Sequence, residues 1–273
     1  MKLTYLGTAA AEGFPAVFCN CGFCQYARRT KGKNIRTRSQ SIINDELLID
    51  LPADTYHHFL SQGIEGDRIK YLFVTHAHQD HFYPEELCMH DSCYAHDLRA
   101  DRLDVFSGES VGEIFNKCDC ISKNVFFNRI KAYETVNAGE YRVTALPARH
   151  MLKTDALFYI IEQKGKRLLY AHDTGYFFDE VFDFIKEKGF YFDAVSYDCT
   201  NIDLPISDNG THMGIDNILR VKEKLEKMGA INENTKNIIN HFSHNANPEH
   251  EALEKRVGEL GLLVAYDGMS IDI

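Results

Sequence analysis

The run HAHQDH at 76–81 places four potential metal ligands, His76, His78, Asp80 and His81, within six residues. Neutral imidazole suits Zn, Mn or Fe, and a carboxylate can bridge two such cations. A tight turn after a strand would send His76 and His78 one way and Asp80 and His81 the other, serving two adjacent cations. A solvated His-rich turn is the plain alternative, and the order H-x-H-x-D-H at a strand end argues against it. Two cations need more than four ligands. Three further residues stand where strands should end: His150 in PARH, Asp173 in HDTG and His241 in NHFSH. Together they complete a seven-ligand dinuclear set. Cations about 3.5–4 Å apart acidify a water between them and neutralise phosphoryl or carbonyl oxygens, which is hydrolytic chemistry.

A second cluster, Cys19-Asn20-Cys21-Gly22-Phe23-Cys24, has the spacing C-x-C-x2-C. Three thiolates need a fourth ligand to close a tetrahedral structural Zn site; without one they are free loop thiols. His244, three residues beyond His241, could turn away from the catalytic cations to meet this loop. Cys88, His90, Cys93, His96, Cys118 and Cys120 lie in a stretch at about 84–131 with no clear period. Their spacings match no metal pattern, and the cysteines read as buried free thiols.

These groups must be positioned by the elements around them. Ile69–Thr75 (IKYLFVT) is an apolar, β-rich run that delivers its end into HAHQDH. Ser41–Leu51 predicts two strands joined at Asn44-Asp45, and Ala156–Gln163 with Arg167–Ala171 predicts a hairpin around Lys164-Gly165-Lys166. Helices are expected over Asp54–Gln62, Phe178–Lys188, Ile215–Met228 and Pro248–Leu260. Strands are expected over Ala194–Tyr197 and Asn237–Ile239, and a last hairpin through Asp267-Gly268. The stretch from Gly7 to about Arg38 reads as one long irregular loop. Strands precede helices in two roughly matching halves. That predicts an α/β protein, two sheets flanked by helices, as one domain over 1–273 with a Cys-rich loop at about 8–38 and a variable insert at about 84–131.

Composition narrows the partners. The 273 residues hold 40 Asp+Glu against 30 Lys+Arg, for a net charge of −10, with 13 His and 8 Cys. No apolar run approaches the ~18 residues of a membrane span. The start, MKLTYLG, reads as a strand and not as a signal peptide, so a cytoplasmic location is expected and the cysteines are read as thiols and metal ligands, not disulfides. The negative charge disfavours a nucleic-acid partner, against which stands only the basic run Arg28, Arg29, Lys31, Lys33, Arg36 and Arg38.

The order HAHQDH, His150, HDTG and His241 resembles the metallo-β-lactamase superfamily. With GTAAAEGFPA, the cysteine cluster, Asp198-Cys199, His212, HFSH and Asp267-Gly268-Met269, the chain is similar to its PhnP group of phosphoribosyl 1,2-cyclic phosphate phosphodiesterases. The resemblance implies a four-layer αββα sandwich with the site at one edge. It implies that His76, His78 and His150 hold one metal, Asp80, His81 and His241 the other, and that Asp173 bridges them. It assigns Cys19, Cys21, Cys24 and His244 to a structural Zn. Asp80, Asp173 and His212 become the catalytic set, His212 contacting the phosphate or moving a proton. Arg149 departs from the group's pattern and either binds a substrate phosphate or sits in a surface ion pair. The implied reaction is hydrolysis of a small cyclic phosphodiester, with a homodimer left open. An RNA-processing nuclease, a lactonase, a thioesterase and a PqqB-like accessory role remain alternatives. A diiron flavoprotein is set aside, because that type carries a carboxylate where His78 stands.

Overall fold

The structure, a computed structural model, describes residues 1–151 and 154–273. In its first half run β1 (Lys2–Gly7), α1 (Gly22–Thr30), β2 (Gln40–Ile43), β3 (Leu47–Ile49), α2 (Thr55–Gln62), β4 (Tyr71–Phe73), β5 (Leu103–Ser107), α3 (Glu109–Lys117) and β6 (Val125–Arg129). The second half continues with β7 (Thr135–Ala138), β8 (Tyr141–Pro147), β9 (Leu157–Gln163), β10 (Lys166–Ala171), α4 (Asp179–Lys188), β11 (Ala194–Asp198), α5 (Ile215–Lys227), β12 (Lys236–Asn240), α6 (His250–Gly258), β13 (Leu263–Val264) and β14 (Ser270–Asp272). One sheet has the order β14-β1-β2-β3-β4-β5-β6 and the other β13-β12-β11-β10-β9-β8-β7.

Strand side chains alternate between faces, and the sequence exploits both. In β9, Leu157, Tyr159 and Ile161 join Leu3, Tyr5, Ile43 and Phe73 in the apolar layer between the sheets. Phe158 and Ile160 point the other way and pack with Val181, Phe182 and Ile185 of α4 and Ile218, Val221 and Leu225 of α5. On the far side of the first sheet, Leu48, Leu72 and Val105 meet Val111 of α3, with Phe59 of α2 packed against them. The result is the helix–sheet–sheet–helix sandwich. Among the described residues no helix is long and apolar enough to cross a membrane.

Four expectations change. The final hairpin does not form: β13 pairs parallel with β12, whereas β14 pairs antiparallel with β1. Asp267-Gly268 therefore carries the chain from one sheet to the other. The Cys-rich loop contains α1, started by Cys21, whose Sγ accepts the Cys24 N–H at 3.5 Å. Its buried face is only Cys24 and Ala27, one turn apart, and its last turn carries Arg28 and Arg29. Much of the 84–131 stretch belongs to the sandwich, because β5 and β6 extend the first sheet in parallel register. Lastly, not every cysteine is a thiol: Cys88 and Cys120 form a disulfide.

Strand direction positions the chemistry. β10, β11 and β12 are parallel, with Ala171 level with Tyr197 and Tyr197 level with Ile239. Asp173, Asp198 and His241 therefore emerge side by side at the carboxyl ends of these strands. β8 runs the same way, because it is antiparallel to β9 and β9 to β10, and its end leads to His150. In the other sheet the parallel pair β3 and β4 leads to Asp50 and to His76.

Candidate metal centre

All seven residues of the HAHQDH-centred set meet at this edge, in two groups that share Asp173. In the first, His76 Nε2 lies 2.9 Å from His78 Nδ1, and His150 Nε2 lies 3.2 Å from the same atom. Nitrogens held at about 2.0–2.1 Å by a tetrahedral cation stand about 3.3 Å apart, so this spacing is that of a ligand set. In the second, Asp173 Oδ2 lies 2.6 Å from His81 Nε2 and 2.9 Å from His241 Nε2, with Asp80 Oδ2 3.4 Å from His81 Nε2. Asp173 Oδ1 faces the first group, 3.8 Å from His150 Nε2.

These short contacts are not ordinary hydrogen bonds. His81 Nε2, His241 Nε2 and Asp173 Oδ2 are fully buried and lack a hydrogen-bond partner. Leaving such groups unpaired costs about 1–3 kcal/mol each. Three of them aimed at one point fit a bound cation.

The other ring nitrogens are secured from behind. His76 Nδ1 is 3.0 Å from Thr75 Oγ1, His150 Nδ1 3.3 Å from the Thr211 carbonyl and His241 Nδ1 2.8 Å from Thr200 Oγ1. His81 Nδ1 donates to Asp50 Oδ2 at 2.7 Å, and Asp50 Oδ1 accepts the Thr75 N–H at 2.7 Å. Each of these four rings thus points Nε2 inward, the arrangement that fixes a metal-binding tautomer. Burial and the neighbouring His81 hold His76 well below the ordinary histidine range, so it is neutral. Burial opposes ionisation of Asp173, but His241 and His81 overcome it and hold the carboxylate charged. Asp50, Asp173 and His241 have φ values of 64°, 49° and 63°. A left-handed backbone at three non-glycine residues is strain that the surrounding fold holds in place to aim side chains.

His212 sits at the mouth, its Nδ1 2.9 Å from Asp198 Oδ2. Burial would lower its pKa, yet the charge and hydrogen bond of Asp198 lift it to about 9. Asp198 is fixed by the N–H groups of Met213 and Thr200, at 3.0 and 3.1 Å. Arg149 forms no ion pair among the described residues. Its Nε donates to the Tyr176 carbonyl at 2.8 Å and its guanidinium lies 4.1 Å from the Phe178 ring centre. His172, next to Asp173, faces away and contacts Ser196 Oγ at 2.7 Å.

The sequence reading gave no role to Asp50 or Asp198. Both stand at strand ends, Asp50 in LLIDL and Asp198 in VSYDC; an acid closing an apolar strand is the signal they share, and Asp198 stands besides in the Asp198-Cys199 motif of the resemblance.

At the far end of the chain's N-terminal loop, Cys19, Cys21, Cys24 and His244 gather with ligand atoms within 4.8 Å of one another. His244 Nδ1 is 3.6 Å from Cys24 Sγ and 3.9 Å from Cys21 Sγ. The Cys24 N–H at the start of α1, with His244 beside it, lowers the Cys21 thiol to about 6. Burial raises Cys24 to about 11. A thiolate beside three further donors is a metal-binding arrangement.

Residues 48–231 match the family described as the beta-lactamase superfamily domain. The chain belongs to the metallo-β-lactamase superfamily. Members are metal-dependent hydrolases that typically bind divalent metals at such a His/Asp cluster. Among curated proteins it is 23% identical over 174 residues to ribonuclease Z of Methanothermobacter thermautotrophicus, a match covering 61% of this chain and 49% of that protein. The match thus spans about half the length of that relative. In fold it is similar to a diphosphatase of the PhnP family, with a TM-score of 0.77, 20% identity and coverage of 100% of this chain and 97% of the other. It is also similar to Zn2+-bound PqqB from Methylobacterium extorquens, with a TM-score of 0.72, 20% identity and complete coverage of both chains.

Proposed function

We propose that this superfamily hydrolase is a phosphodiesterase with a dinuclear centre, acting on a small, compact phosphodiester such as a cyclic one. The observation that carries the reading is the pairing of two ligand groups around one carboxylate. His76, His78 and His150 would hold one divalent cation, Asp80, His81 and His241 the other, and Asp173 would reach both. Cations bound there, Zn, Mn or Fe, would supply an acidified water and neutralise phosphoryl oxygens. Cys19, Cys21, Cys24 and His244 would hold a structural Zn that ties the loop to the end of β12.

The chain's own residues supply the rest. His212, tied through Nδ1 to Asp198, whose charge raises its pKa, has Nε2 left to donate a proton to a leaving alkoxide. Arg149, whose guanidinium lies over the Phe178 ring, is a cation available for a second phosphate oxygen. A nuclease reading is favoured by the curated match, but the basic run that would grip RNA is partly spent inside the fold. Arg36 is buried and bonds Thr8 Oγ1 and the Ala265 carbonyl, and Arg38 pairs with Asp54 at 3.1 Å.

The test is elemental analysis of purified protein, then turnover of bis-p-nitrophenyl phosphate, a panel of cyclic phosphodiesters and a precursor tRNA. Asp173→Ala should abolish turnover of any phosphodiester. Full activity in that variant refutes the bridging role, and cleavage of tRNA alone replaces the small-substrate reading with the nuclease.

A further inference from the structure

The disulfide between Cys88 and Cys120 has a third sulfur beside it. Cys118 is a free thiol whose Sγ lies 3.6 Å from Cys120 Sγ and 4.0 Å from Cys88 Sγ. Cys88 comes from the seven-residue 3-10 helix Pro84–His90 that follows the HAHQDH loop. Cys118 and Cys120 come from the turn that ends α3, in which the Ile121 N–H reaches the Cys118 carbonyl at 3.4 Å. Chain segments thirty residues apart thus deliver three sulfurs to one point, with potential ligand atoms all within 4.8 Å of one another. His90, Cys93 and His96 are not part of the group. The exposed Cys93 instead bonds Asp91 Oδ1 at 2.8 Å.

A structural disulfide needs two sulfurs and gains nothing from a third. A thiolate metal site needs them all. Sulfurs bound at about 2.3 Å to a tetrahedral cation lie about 3.8 Å apart, and the two distances made by Cys118 bracket that value. The group also sits at the carboxyl end of α3, where the helix dipole favours a cation. Cys88 is buried, Cys118 half-buried and Cys120 exposed, so the cluster opens to solvent on its Cys120 side.

We propose that, in reduced protein, Cys88, Cys118 and Cys120 form a three-thiolate site for a thiophilic cation, Zn2+ or Cu+, with an open fourth position. It is separate from both the His/Asp centre and the Cys19 cluster. Two equivalents of a small thiol reductant cleave the Cys88–Cys120 bond. They leave as one molecule of their own disulfide, and each protein sulfur gains a proton. Metal binding then displaces the thiol protons. Oxidation of the pair removes two of the three ligands, so occupancy of the site follows the redox state of the chain.

The full chain is reduced with dithiothreitol, freed of reductant anaerobically and equilibrated with Zn2+, and bound metal is counted by elemental analysis. Cys118→Ser, which leaves the disulfide partners intact, should bind one equivalent fewer than the parent, as should Cys120→Ser, while Cys93→Ser should match the parent. Parent and Cys118→Ser binding the same number of equivalents overturns the proposal, since a mere disulfide makes no use of Cys118. If a serine variant fails to fold, the parent alone decides the matter. Cd2+ added after reduction should raise the cadmium–thiolate charge-transfer absorption above that of the chain carrying the disulfide. Equal absorption in the two states is the refuting outcome.

Discussion

Replacing Asp50 with Asn preserves the shape of a buried side chain and changes what it asks of its neighbours. Asp50 accepts from the Thr75 N–H and hydroxyl through Oδ1 and from His81 Nδ1 through Oδ2. In Asn, the oxygen that faces Thr75 can remain, but an NH2 then faces His81. Two donors cannot share one hydrogen bond, so His81 must accept at Nδ1 and carry its proton on Nε2. That proton points at Asp173 Oδ2, 2.6 Å away, into the position where a cation would sit. Loss of such a carboxylate behind a histidine ligand costs about 10–100-fold in metal affinity or activity, or about 1.4–2.7 kcal/mol. Folding should survive, because Asn accepts the left-handed backbone found at Asp50 as readily as Asp does. Asp50→Ala is the less informative change. It strands the Thr75 N–H and the His81 Nδ1–H at about 1–3 kcal/mol each, against a total stability of about 5–15 kcal/mol. The assay is elemental analysis across a metal titration, with turnover of bis-p-nitrophenyl phosphate and thermal melting in parallel. Unchanged metal affinity and unchanged kcat in a folded Asp50→Asn protein would refute the claim that Asp50 sets the tautomer of His81.

Other outcomes follow from the same geometry. His212→Gln should lower kcat about 10²- to 10⁴-fold while metal content stays at the parent value, measured by steady-state kinetics and elemental analysis. His58 is buried, with Nδ1 2.6 Å from Gln40 Oε1 and Nε2 2.6 Å from Thr37 Oγ1, and burial lowers its pKa to about 4. Between pH about 6.5 and about 4 the unfolded chain binds the proton that folded His58 refuses, so stability is complete above this window and falls on acidification through it by about 3 kcal/mol. Urea melts across that range should show the loss, and His58→Gln should flatten it. Gly175→Ala would place a Cβ 1.9 Å from the Gly210 carbonyl oxygen, forcing apart the loops that carry Asp173 and His212. Activity and melting temperature should both drop.

Ligands presented within one short run were readable because the run itself encodes their convergence: four donors in six residues can meet without help from the fold. His150, Asp173 and His241 were readable for a second reason, that each closes a strand, and parallel strands in register bring their ends together. His244 could be placed because three residues separate it from His241. No such rule connects Cys88 to Cys118 and Cys120, whose meeting depends on how α3 closes over the first sheet. Likewise the final hairpin was misread because Asp267-Gly268 has turn chemistry whichever sheet the next strand joins.

Asp50 and Asp198 show where sequence reading stops for a physical reason. Neither belongs to the converging set of buried, unpartnered atoms; Asp50 stands one bond behind it and Asp198 one bond behind His212 at the mouth, and each meets its histidine only after the sheets have formed. What they contribute is direction. An imidazole has two nitrogens, and the neutral ring offers one lone pair, so a ligand set is defined as much by the partner at Nδ1 as by the atom at Nε2. Four rings of the converging set have a partner at Nδ1, and these partners differ: a carboxylate for His81, hydroxyls for His76 and His241, a carbonyl for His150. A carboxylate or carbonyl accepts only, whereas a hydroxyl can also donate. His81 and His150 are therefore locked with Nε2 as the lone pair, while His76 and His241 depend on their threonines. Thr75 Oγ1 is itself committed to Asp50, at 2.9 Å, and so must accept from His76. One buried acid thus sets the tautomers of two ligands in different groups. This is why Asp50, absent from the motif, should matter to both groups of donors.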